Sequence, residues 1–308
     1  MRVTVIGFVS RDRNILPSGQ VVETVGGKGF YAAAALSRGG IETDLITWLP
    51  SADAKLLLTL QDYPLGIHVI SVPTGTVNSN VHRGDQVEAT THFDSKVFSP
   101  ADFNAGMRQA IEASDQVVLA PSAWQQISSE LLDYFSNTIG VSLVGDLGNA
   151  LRAASAEGRL APRDPWPEQE QYLRPMTTVA VSAEEVAIPL QRGESFLSLA
   201  RAFSEQGPNE VIITAGSRGS FIYQAETNEG YDLPAYPPTK LVDPTGAGDT
   251  YLGAYLAERS RTDNVLRAGK FAAMAASLKL AYTGPLREPG EQVDRALAEV
   301  ESSPGAAS

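Results

Sequence analysis

The feature that most constrains the fold is a regular alternation of short apolar runs with longer helical segments. The runs have the length of buried strands and are Val3–Phe8, Asp44–Leu49, His68–Val72, Gln116–Ala120, Val141–Gly145, Thr178–Val181 and Val211–Thr214. Between them lie helix-like segments such as Gly29–Arg38, Ser128–Asn137 and Ser195–Gln206. Apolar strands that alternate with helices indicate a parallel sheet covered on both faces. We therefore predict an α/β fold, a three-layer sandwich with a mostly parallel central sheet, which binds ligands beyond the carboxyl ends of its strands.

Two segments, Arg13–Val25 and Pro73–Val97, lack this alternation and contain strand and turn formers instead. Long loops without secondary structure are uncommon in compact domains, so both are predicted to form a small antiparallel β lid, with ordinary surface loops as the alternative. Open strand edges of such a lid favour pairing with a second copy, which predicts a homodimer. The chain is predicted to form a single domain over 1–300, with a flexible tail at 301–308. The stretch Arg159–Arg174, rich in Pro, Arg and Glu, is predicted to be a solvent-facing loop.

Charge and composition exclude several classes of function. The formal net charge is −12 without a Lys/Arg cluster, whereas nucleic-acid binding needs a concentrated positive surface, so no nucleic-acid partner is expected. The chain has no cysteine, which excludes disulfides, thiolate nucleophiles and Cys-ligated metals, and its three histidines lack metal-binding spacing. No run of about 18 uncharged apolar residues occurs, and the N-terminus lacks a signal-peptide pattern. A cytoplasmic protein without a membrane partner is expected.

The segment most informative about chemistry is Asp243–Thr250, which precedes a predicted helix over Tyr251–Ser260. The glycine-containing tripeptide 246–248 falls at the helix N-terminus, where backbone amides are unbonded and the helix dipole favours an anion. Asp249 follows immediately. An anion site beside a carboxylate suits phosphoryl transfer, because the amides stabilise the phosphoryl charge while the carboxylate accepts a proton from the attacking hydroxyl. On these residues alone, a tight turn with a helix-starting aspartate is an equal alternative.

Other phosphate-binding motifs are absent from the sequence. There is no GxxxxGK[ST], and the run that starts at Gly246 has Tyr251 where GxGxxG needs its third glycine. The HRD and DFG motifs of protein kinases are missing as well. A Rossmann-type oxidoreductase would share the alternation of strands and helices but needs the glycine fingerprint, so this alternative is disfavoured.

Asp243–Thr250 resembles the C-terminal signature of the ribokinase-like (phosphofructokinase B-type) carbohydrate kinases, and Val25–Gly29 with its alanine-rich helix resembles their N-terminal signature. Further matches are, in chain order, Gly7 with Asp12, Ser182–Glu185 (the family's N-x-x-E) and Thr214–Gly219 (its T-x-G-x-x-G turn). The resemblance extends from Val3 to about Pro289. It implies an ATP- and Mg²⁺-dependent kinase that phosphorylates a hydroxyl of a small sugar, polyol or nucleoside. The alternative is a catalytically silent sugar or nucleotide sensor on the same fold.

The resemblance also implies a role for each matching residue. Asp249 would be the general base, and the backbone amides of Gly246, Ala247 and Gly248 would form the anion hole. The acceptor would be lined by Asp12, Gly27, Lys28 and Tyr31, and the nucleotide by Ser182, Thr214, Gly216 and Gly219. Glu185 would act on Mg²⁺ through water, and Asp243 and Thr245 would lie near a monovalent-cation site for K⁺.

Some positions depart from the family's pattern. Tyr31 stands where members that handle furanose sugars usually have Asn, which changes the shape and hydrogen bonding of the pocket and disfavours ribose. Ser182 replaces the Asn of N-x-x-E, which puts the local network in doubt. Asp146 and Arg152 follow a predicted strand, as in divergent members, and would touch substrate or phosphates or form an ordinary surface pair. The lid histidines receive no role.

Overall fold

A computed structural model of the chain describes residues 1–15, 18–83, 86–138, 141–154, 160–162 and 166–302. Its strands are β1 Arg2–Gly7, β2 Ser10–Ile15, β3 Val21–Gly26, β4 Glu42–Leu49, β5 Leu65–Ser71, β6 Thr76–Arg83, β7 Gln86–His92, β8 Gln116–Ala120, β9 Ser142–Asp146, β10 Arg152–Ala154, β11 Leu160–Pro162, β12 Met176–Ser182, β13 Glu210–Thr214, β14 Ser220–Gln224 and β15 Glu229–Leu233. Its α-helices are α1 Lys28–Arg38, α2 Ala105–Glu112, α3 Ser129–Thr138, α4 Gln169–Leu173, α5 Ala187–Gln191, α6 Phe196–Ser204, α7 Ala247–Arg259, α8 Val265–Lys279 and α9 Gly290–Ser302. None of these helices is long and apolar enough to cross a lipid bilayer.

A central sheet runs through the described residues in the strand order β15-β14-β13-β12-β9-β8-β1-β4-β5. All strands from β13 to β5 in this order pair in parallel, whereas β14 and β15 add an antiparallel edge. Each apolar run predicted from the sequence is one of the parallel strands. The mostly parallel sheet is therefore confirmed, and because parallel strands share one carboxyl edge, the segments that follow them converge there.

Helices cover both faces of this sheet. Successive side chains of a strand point to opposite faces, so Val3 and Val5 belong to one buried cluster while Ile6 belongs to another. The first cluster includes apolar residues of α1, α7, α8 and α9, and the second includes those of α2, α3, α4 and α6. The predicted three-layer sandwich is confirmed.

Helices α1 and α7 approach each other closely, which brings their N-termini together. A Cβ at Gly253 in α7 would lie only 2.5 Å from the carbonyl oxygen of Ala32 in α1. Small residues at this crossing allow backbone contact between the helices. The crossing therefore fixes the relative positions of Lys28 and Asp249, which stand in the first turns of α1 and α7.

A second, four-stranded sheet has the order β3-β2-β6-β7 and forms the lid. The pairs β2–β3 and β6–β7 are antiparallel, as predicted, but the central pair β2–β6 is parallel. This follows from the connections, because β2 and β6 each begin just beyond a strand of the parallel sheet, β1 and β5. The lid lies within or beside the two predicted segments, of which residues 16, 17, 84 and 85 lie outside the described residues.

The predicted loop over Arg159–Arg174 contains strand β11 and helix α4 instead, and within 166–174, where most residues are exposed as predicted, Trp166, Tyr172 and Leu173 are buried. Trp166 is only 5% exposed and stacks on Tyr172, with ring centroids 5.7 Å apart and planes 16° apart. The Tyr172 hydroxyl donates to the backbone carbonyl of Trp124 at 3.0 Å. Packing of Trp166 and Tyr172 buries this part of the segment although the residues around them are polar. Of the predicted tail, residues 303–308 lie outside the described residues.

Candidate active site

The first turn of α7 presents backbone N–H groups to the region beyond the parallel strands. Gly246 caps the helix in a left-handed conformation (φ 75°, ψ 10°), and a Cβ there would lie 2.2 Å from ring atoms of Tyr31. The Ala247 amide donates to the carbonyl of Pro244 at 3.3 Å, and the Thr250 amide donates to the carbonyl of Gly246 at 2.9 Å. The amides between these two point out of the helix end. They offer an anion a set of donors at the positive end of the helix dipole.

A lysine connects the carboxylate of Asp249 to a second carboxylate. Lys28 Nζ lies 3.6 Å from Oδ1 of Asp249 and 2.6 Å from Oδ1 of Asp146, the last residue of β9. The backbone N–H of Gly148 donates to the same Asp146 oxygen at 3.2 Å. The Asp249 side chain keeps 15% of its surface exposed, so a substrate can reach it. The ends of α1, α7 and β9 thus meet in one charged cluster.

The charges in this cluster shift one another's protonation. Burial raises the pKa of Asp249 to about 7; the positive charge of Lys28 opposes this rise, and the neighbouring carboxylate of Asp146 adds to it. Burial alone would lower the pKa of Lys28, but the carboxylates of Asp146, Asp249 and Glu185 outweigh it and raise that pKa above its usual range. Lys28 therefore stays charged, while Asp249 can accept a proton near neutral pH, where a general base works best.

Glu185 adds a third carboxylate at the carboxyl end of β12. Its Oε2 accepts the Ser182 backbone N–H at 2.7 Å, and its own N–H donates to the Ser182 hydroxyl at 3.3 Å. A Cβ at Gly148 would lie 2.2 Å from Glu185 Oε1 and 2.8 Å from Lys28 Nζ, so this glycine lets the two side chains approach. Among the described residues no three His, Asp or Glu form a complete metal site. One or two carboxylates with phosphate oxygens nevertheless fit Mg²⁺, which keeps several waters as ligands.

The turn after β13 adjoins the start of α7. Thr214 ends β13, pairs in register with Ser182 of β12, and is followed by a 3₁₀ turn over Gly216–Arg218. Its Oγ1 lies 3.9 Å from the position of a Cβ at Gly248. A Cβ at Gly216 would meet nothing within 4 Å, whereas one at Gly219 would lie 2.0 Å from the carbonyl of Leu233. The open side of this turn is thus next to the outward amides of α7.

Asp12 lies on the lid strand β2 and is 2% exposed. Its Oδ1 accepts hydrogen bonds from the Ser10 hydroxyl at 2.7 Å and from Asn78 Nδ2 at 2.8 Å. Burial raises the pKa of Asp12 against these two hydrogen bonds. Burial also raises the pKa of Tyr31, and the charges of Asp243, Asp12 and Asp249 add to that rise. Tyr31 therefore stands between the lid carboxylate and the turn that begins α7.

The turn before α7 is hydrogen-bonded to the last residue of α8. Asp243 Oδ1 accepts the Thr245 backbone N–H at 2.9 Å. The backbone carbonyl of Asp243 accepts a hydrogen bond from Lys279 Nζ at 2.8 Å, and Lys279 is 0% exposed. Burial lowers the pKa of Lys279, which the carboxylates of Asp243 and Asp249 oppose. A buried lysine therefore lies directly behind the turn that leads into α7.

Sequence reasoning placed most of these residues near each other but missed three of them. Lys28, which was expected to line the acceptor site, lies beside Asp146 and Asp249. The side chains of Arg152 and His82 lie outside the part of the chain that the structure describes. Missed were Asn78, Gly148 and Lys279. Gly148, two residues after a strand end, carried a readable signal, whereas a lysine in the last turn of a helix is an ordinary solvent-facing residue.

The model of the pfkB family carbohydrate kinases matches residues 2–289. The chain belongs to this family. Among relatives, it is 26% identical to a cytidine kinase of Thermococcus kodakarensis over 84% of this chain and 88% of that protein. It is 27% identical over 84% of its length to a bifunctional ribokinase/ribose-5-phosphate isomerase A of Fructilactobacillus sanfranciscensis, of which it spans only 46%.

A solved structure extends the comparison to the fold. The chain superposes with a TM-score of 0.80 on a pyrophosphate-dependent kinase in the ribokinase family, complexed with a pyrophosphate analog and myo-inositol. The two are 23% identical, with 95% of this chain and 99% of that chain covered. The expected ribokinase-like fold, family and kinase class are thus confirmed.

Proposed function

We propose that the chain transfers the γ-phosphoryl group of ATP to a hydroxyl of a small sugar or cyclic polyol. One observation carries the proposal: the Asp249 carboxylate and the outward amide of Gly248 belong to the same helical turn, beside the ammonium of Lys28. A base and a set of anion donors at this spacing can act on one phosphoryl group. A sensor would need no such base.

The reaction follows from these positions. The acceptor hydroxyl gives its proton to Asp249 while its oxygen bonds to the γ-phosphorus, and the bond from that phosphorus to the β–γ bridging oxygen breaks. The outward amides of Gly248 and Asp249, together with Lys28, stabilise charge on the phosphoryl oxygens, whereas the Ala247 amide, also expected in the anion hole, donates to the carbonyl of Pro244. Mg²⁺ bound with the nucleotide would be held in part by Glu185 and would neutralise phosphate charge. Since the pKa of Asp249 is about 7, a large fraction of the base is ionised at neutral pH.

The lid supports a polyhydroxylated acceptor rather than a nucleoside. Thr24, Asp12, Asn78 and Thr91 form one row across the four strands. Thr91 Oγ1 donates to Asn78 Oδ1 at 2.9 Å, which orients the amide so that its Nδ2 donates to Asp12. The lid strands contain no Phe, Tyr or Trp to stack on a base. Such a row suits hydrogen bonding to adjacent hydroxyl groups.

The donor and the acceptor are tested together. Purified protein would be incubated with Mg²⁺ and either ATP or pyrophosphate, with ribose, fructose, myo-inositol and cytidine as acceptors, and the phosphorylated product identified by ³¹P NMR. We expect ATP-dependent product with a sugar or polyol. A product only with pyrophosphate, the donor of the structural neighbour, would overturn the donor, and a product only with cytidine would overturn the acceptor.

A variant pair tests the base. Asp249→Asn should lower turnover by about 10²–10⁴-fold while ATP binding, measured by calorimetry, is retained. Asp263→Asn is the matched control, since its side chain is fully exposed in the loop between α7 and α8. Equal turnover of the Asp249 variant and wild type would contradict the mechanism. ATP binding by the wild type without phosphorylation of any acceptor would favour the sensor.

We also propose that two copies pair through the lid. Strands β3 and β7 are the edges of its sheet, so their outer N–H and C=O groups can bond to another strand. Val21 and Val22 on β3 are 45% and 37% exposed, which gives this edge apolar surface. An apolar open edge is stabilised by pairing with a second copy.

A further inference from the structure

A buried lysine lies where the family resemblance led us to expect a monovalent cation. Lys279, the last residue of α8, has no exposed surface, and its Nζ donates to the backbone carbonyl of Asp243 at 2.8 Å. The same ammonium lies 3.8 Å from Oδ2 of Asp243. The backbone here is tied to the end of α8, because the Val242 amide donates to the carbonyl of Leu280 at 2.8 Å. The lysine and the turn are thus held as one unit.

The ammonium also faces an aromatic ring. Lys279 Nζ lies 5.2 Å from the ring centroid of Tyr31, within the range of a cation–π contact. The same ring also lies against Gly246, where a Cβ would overlap it. A buried cation needs compensating partners, and Lys279 has a carbonyl, a carboxylate and a ring face. The same chain of contacts links it to the helix end that would receive the phosphoryl group.

These contacts do not fit an additional K⁺ at Asp243 and Thr245. The carbonyl oxygen of Asp243, a hard ligand of the kind K⁺ requires, already accepts a hydrogen bond from Lys279. Oδ1 of Asp243 accepts the amide of Thr245, and Oδ2 faces the ammonium. A second positive charge within a few ångströms of the first would be repelled by it.

We propose that the ammonium of Lys279 supplies, within the chain, the positive charge behind the anion-binding turn, so that catalysis needs no K⁺ or other monovalent metal ion. The charge orients the carbonyl and carboxylate of Asp243, which in turn hold the backbone that leads into Gly246. Lys279 is a positioning residue, since it contacts the turn and not the substrate. The expected independence of kcat from K⁺ rests on the proposed function, whereas the expectation that no K⁺ binds at Asp243 and Thr245 does not.

The first test compares cations on the wild type. Melting temperature, affinity for Mg-ATP by calorimetry, and phosphoryl transfer would be measured in KCl, NaCl and tetramethylammonium chloride at equal ionic strength. We expect all three quantities to be the same in the three salts. A melting temperature, affinity or rate that rises specifically with K⁺ would overturn the proposal, because a ligand that binds the folded state stabilises it.

The second test removes the charge. Lys279→Met keeps a long apolar chain in the cavity; we expect it to lower kcat by roughly 10–100-fold in tetramethylammonium, as for residues that orient a primary ligand. K⁺ or NH₄⁺ should then raise both its melting temperature and its kcat. Lys270→Met is the matched control in the same helix, because Lys270 is 40% exposed and pairs with Glu301. It should respond like the wild type.

Full activity of Lys279→Met without K⁺ would overturn the proposal, and so would a variant that K⁺ does not stabilise. If the variant fails to fold, the salt comparison on the wild type still decides. Failure of the proposed function would look different: the wild type would phosphorylate no acceptor in any salt, while its melting temperature would still report whether K⁺ binds.

Discussion

Replacing Gly248 with alanine should separate stability from activity at the start of α7. A Cβ at this position would meet only Thr214 Oγ1, at 3.9 Å, which is ordinary van der Waals contact. Alanine is favoured over glycine in a helix by about 0.5–1 kcal/mol, and the lower end applies at the second residue of the helix. With an unfolding entropy of about 2.1 cal/mol/K per residue, this gain raises the melting temperature by about 1 °C.

Activity should change in the opposite direction. The added methyl group would occupy the open space at the helix end, where the phosphoryl oxygens approach the amides. Loss of one such donor lowers kcat by about 10²–10³-fold. Thermal unfolding and steady-state kinetics on the same preparation measure both effects.

Gly246→Ala provides the contrast, because there the fold itself requires glycine. Its left-handed conformation costs a side chain about 1–2 kcal/mol, and the Cβ would also overlap the ring of Tyr31. This variant should lose stability and activity together. If Gly248→Ala kept full turnover at unchanged or raised stability, the anion would not bind at this end of α7, and our reasoning would be refuted.

Two further predictions concern the charged cluster and the lid. Asp146→Asn removes a negative charge that raises the pKa of Asp249, while the charge of Lys28, which lowers that pKa, remains. The acid limb of the pH profile of kcat/KM should therefore move from about pH 7 to lower pH. An acid limb that stays in place or moves to higher pH would argue against Asp249 as the base. Val22→Lys places a charge on the exposed edge of β3 and should convert the dimer to a monomer, as measured by sedimentation velocity, without lowering kcat. A wild-type protein that is monomeric at micromolar concentration would contradict pairing through the lid.

The parallel sheet could be predicted from the sequence because its strands other than the edge strand β5 are nearly continuous, largely buried apolar runs. In the antiparallel edge, β15 is mostly exposed and carries no comparable signal, whereas β14 is a buried apolar run that was overlooked. The short helix α4 was missed for a related reason. In this stretch, which is dominated by Pro, Arg and Glu, two aromatic residues, Trp166 and Tyr172, decide which part is buried, and average composition does not reveal them.

Within the site, residues of the glycine motifs were predictable because helix N-termini have a known chemistry. Lys28 was assigned to the acceptor, but the sequence does not reveal that the end of β9 brings Asp146 to 2.6 Å from its Nζ. Only the strand order, in which β9 lies next to β8 and β12, determines which strand ends are neighbours. Asn78 was missed for the same reason, since its partner Asp12 is reached through the parallel β2–β6 pairing.

The departures from the family's pattern are best understood as local replacements that keep the geometry. Ser182 stands for an asparagine, yet its hydroxyl accepts the Glu185 N–H while its own N–H donates to that carboxylate, so the turn remains closed on itself. Tyr31 also stands for an asparagine, and its ring supplies both the surface under Gly246 and the aromatic face that Lys279 needs. An asparagine at position 31 would leave the buried ammonium with one neighbour fewer, whereas a neutral side chain at 279 would leave the Asp243 carbonyl without its donor. The ring of Tyr31 and the ammonium of Lys279 therefore contact each other, and in our proposal this pair takes the place of a bound K⁺.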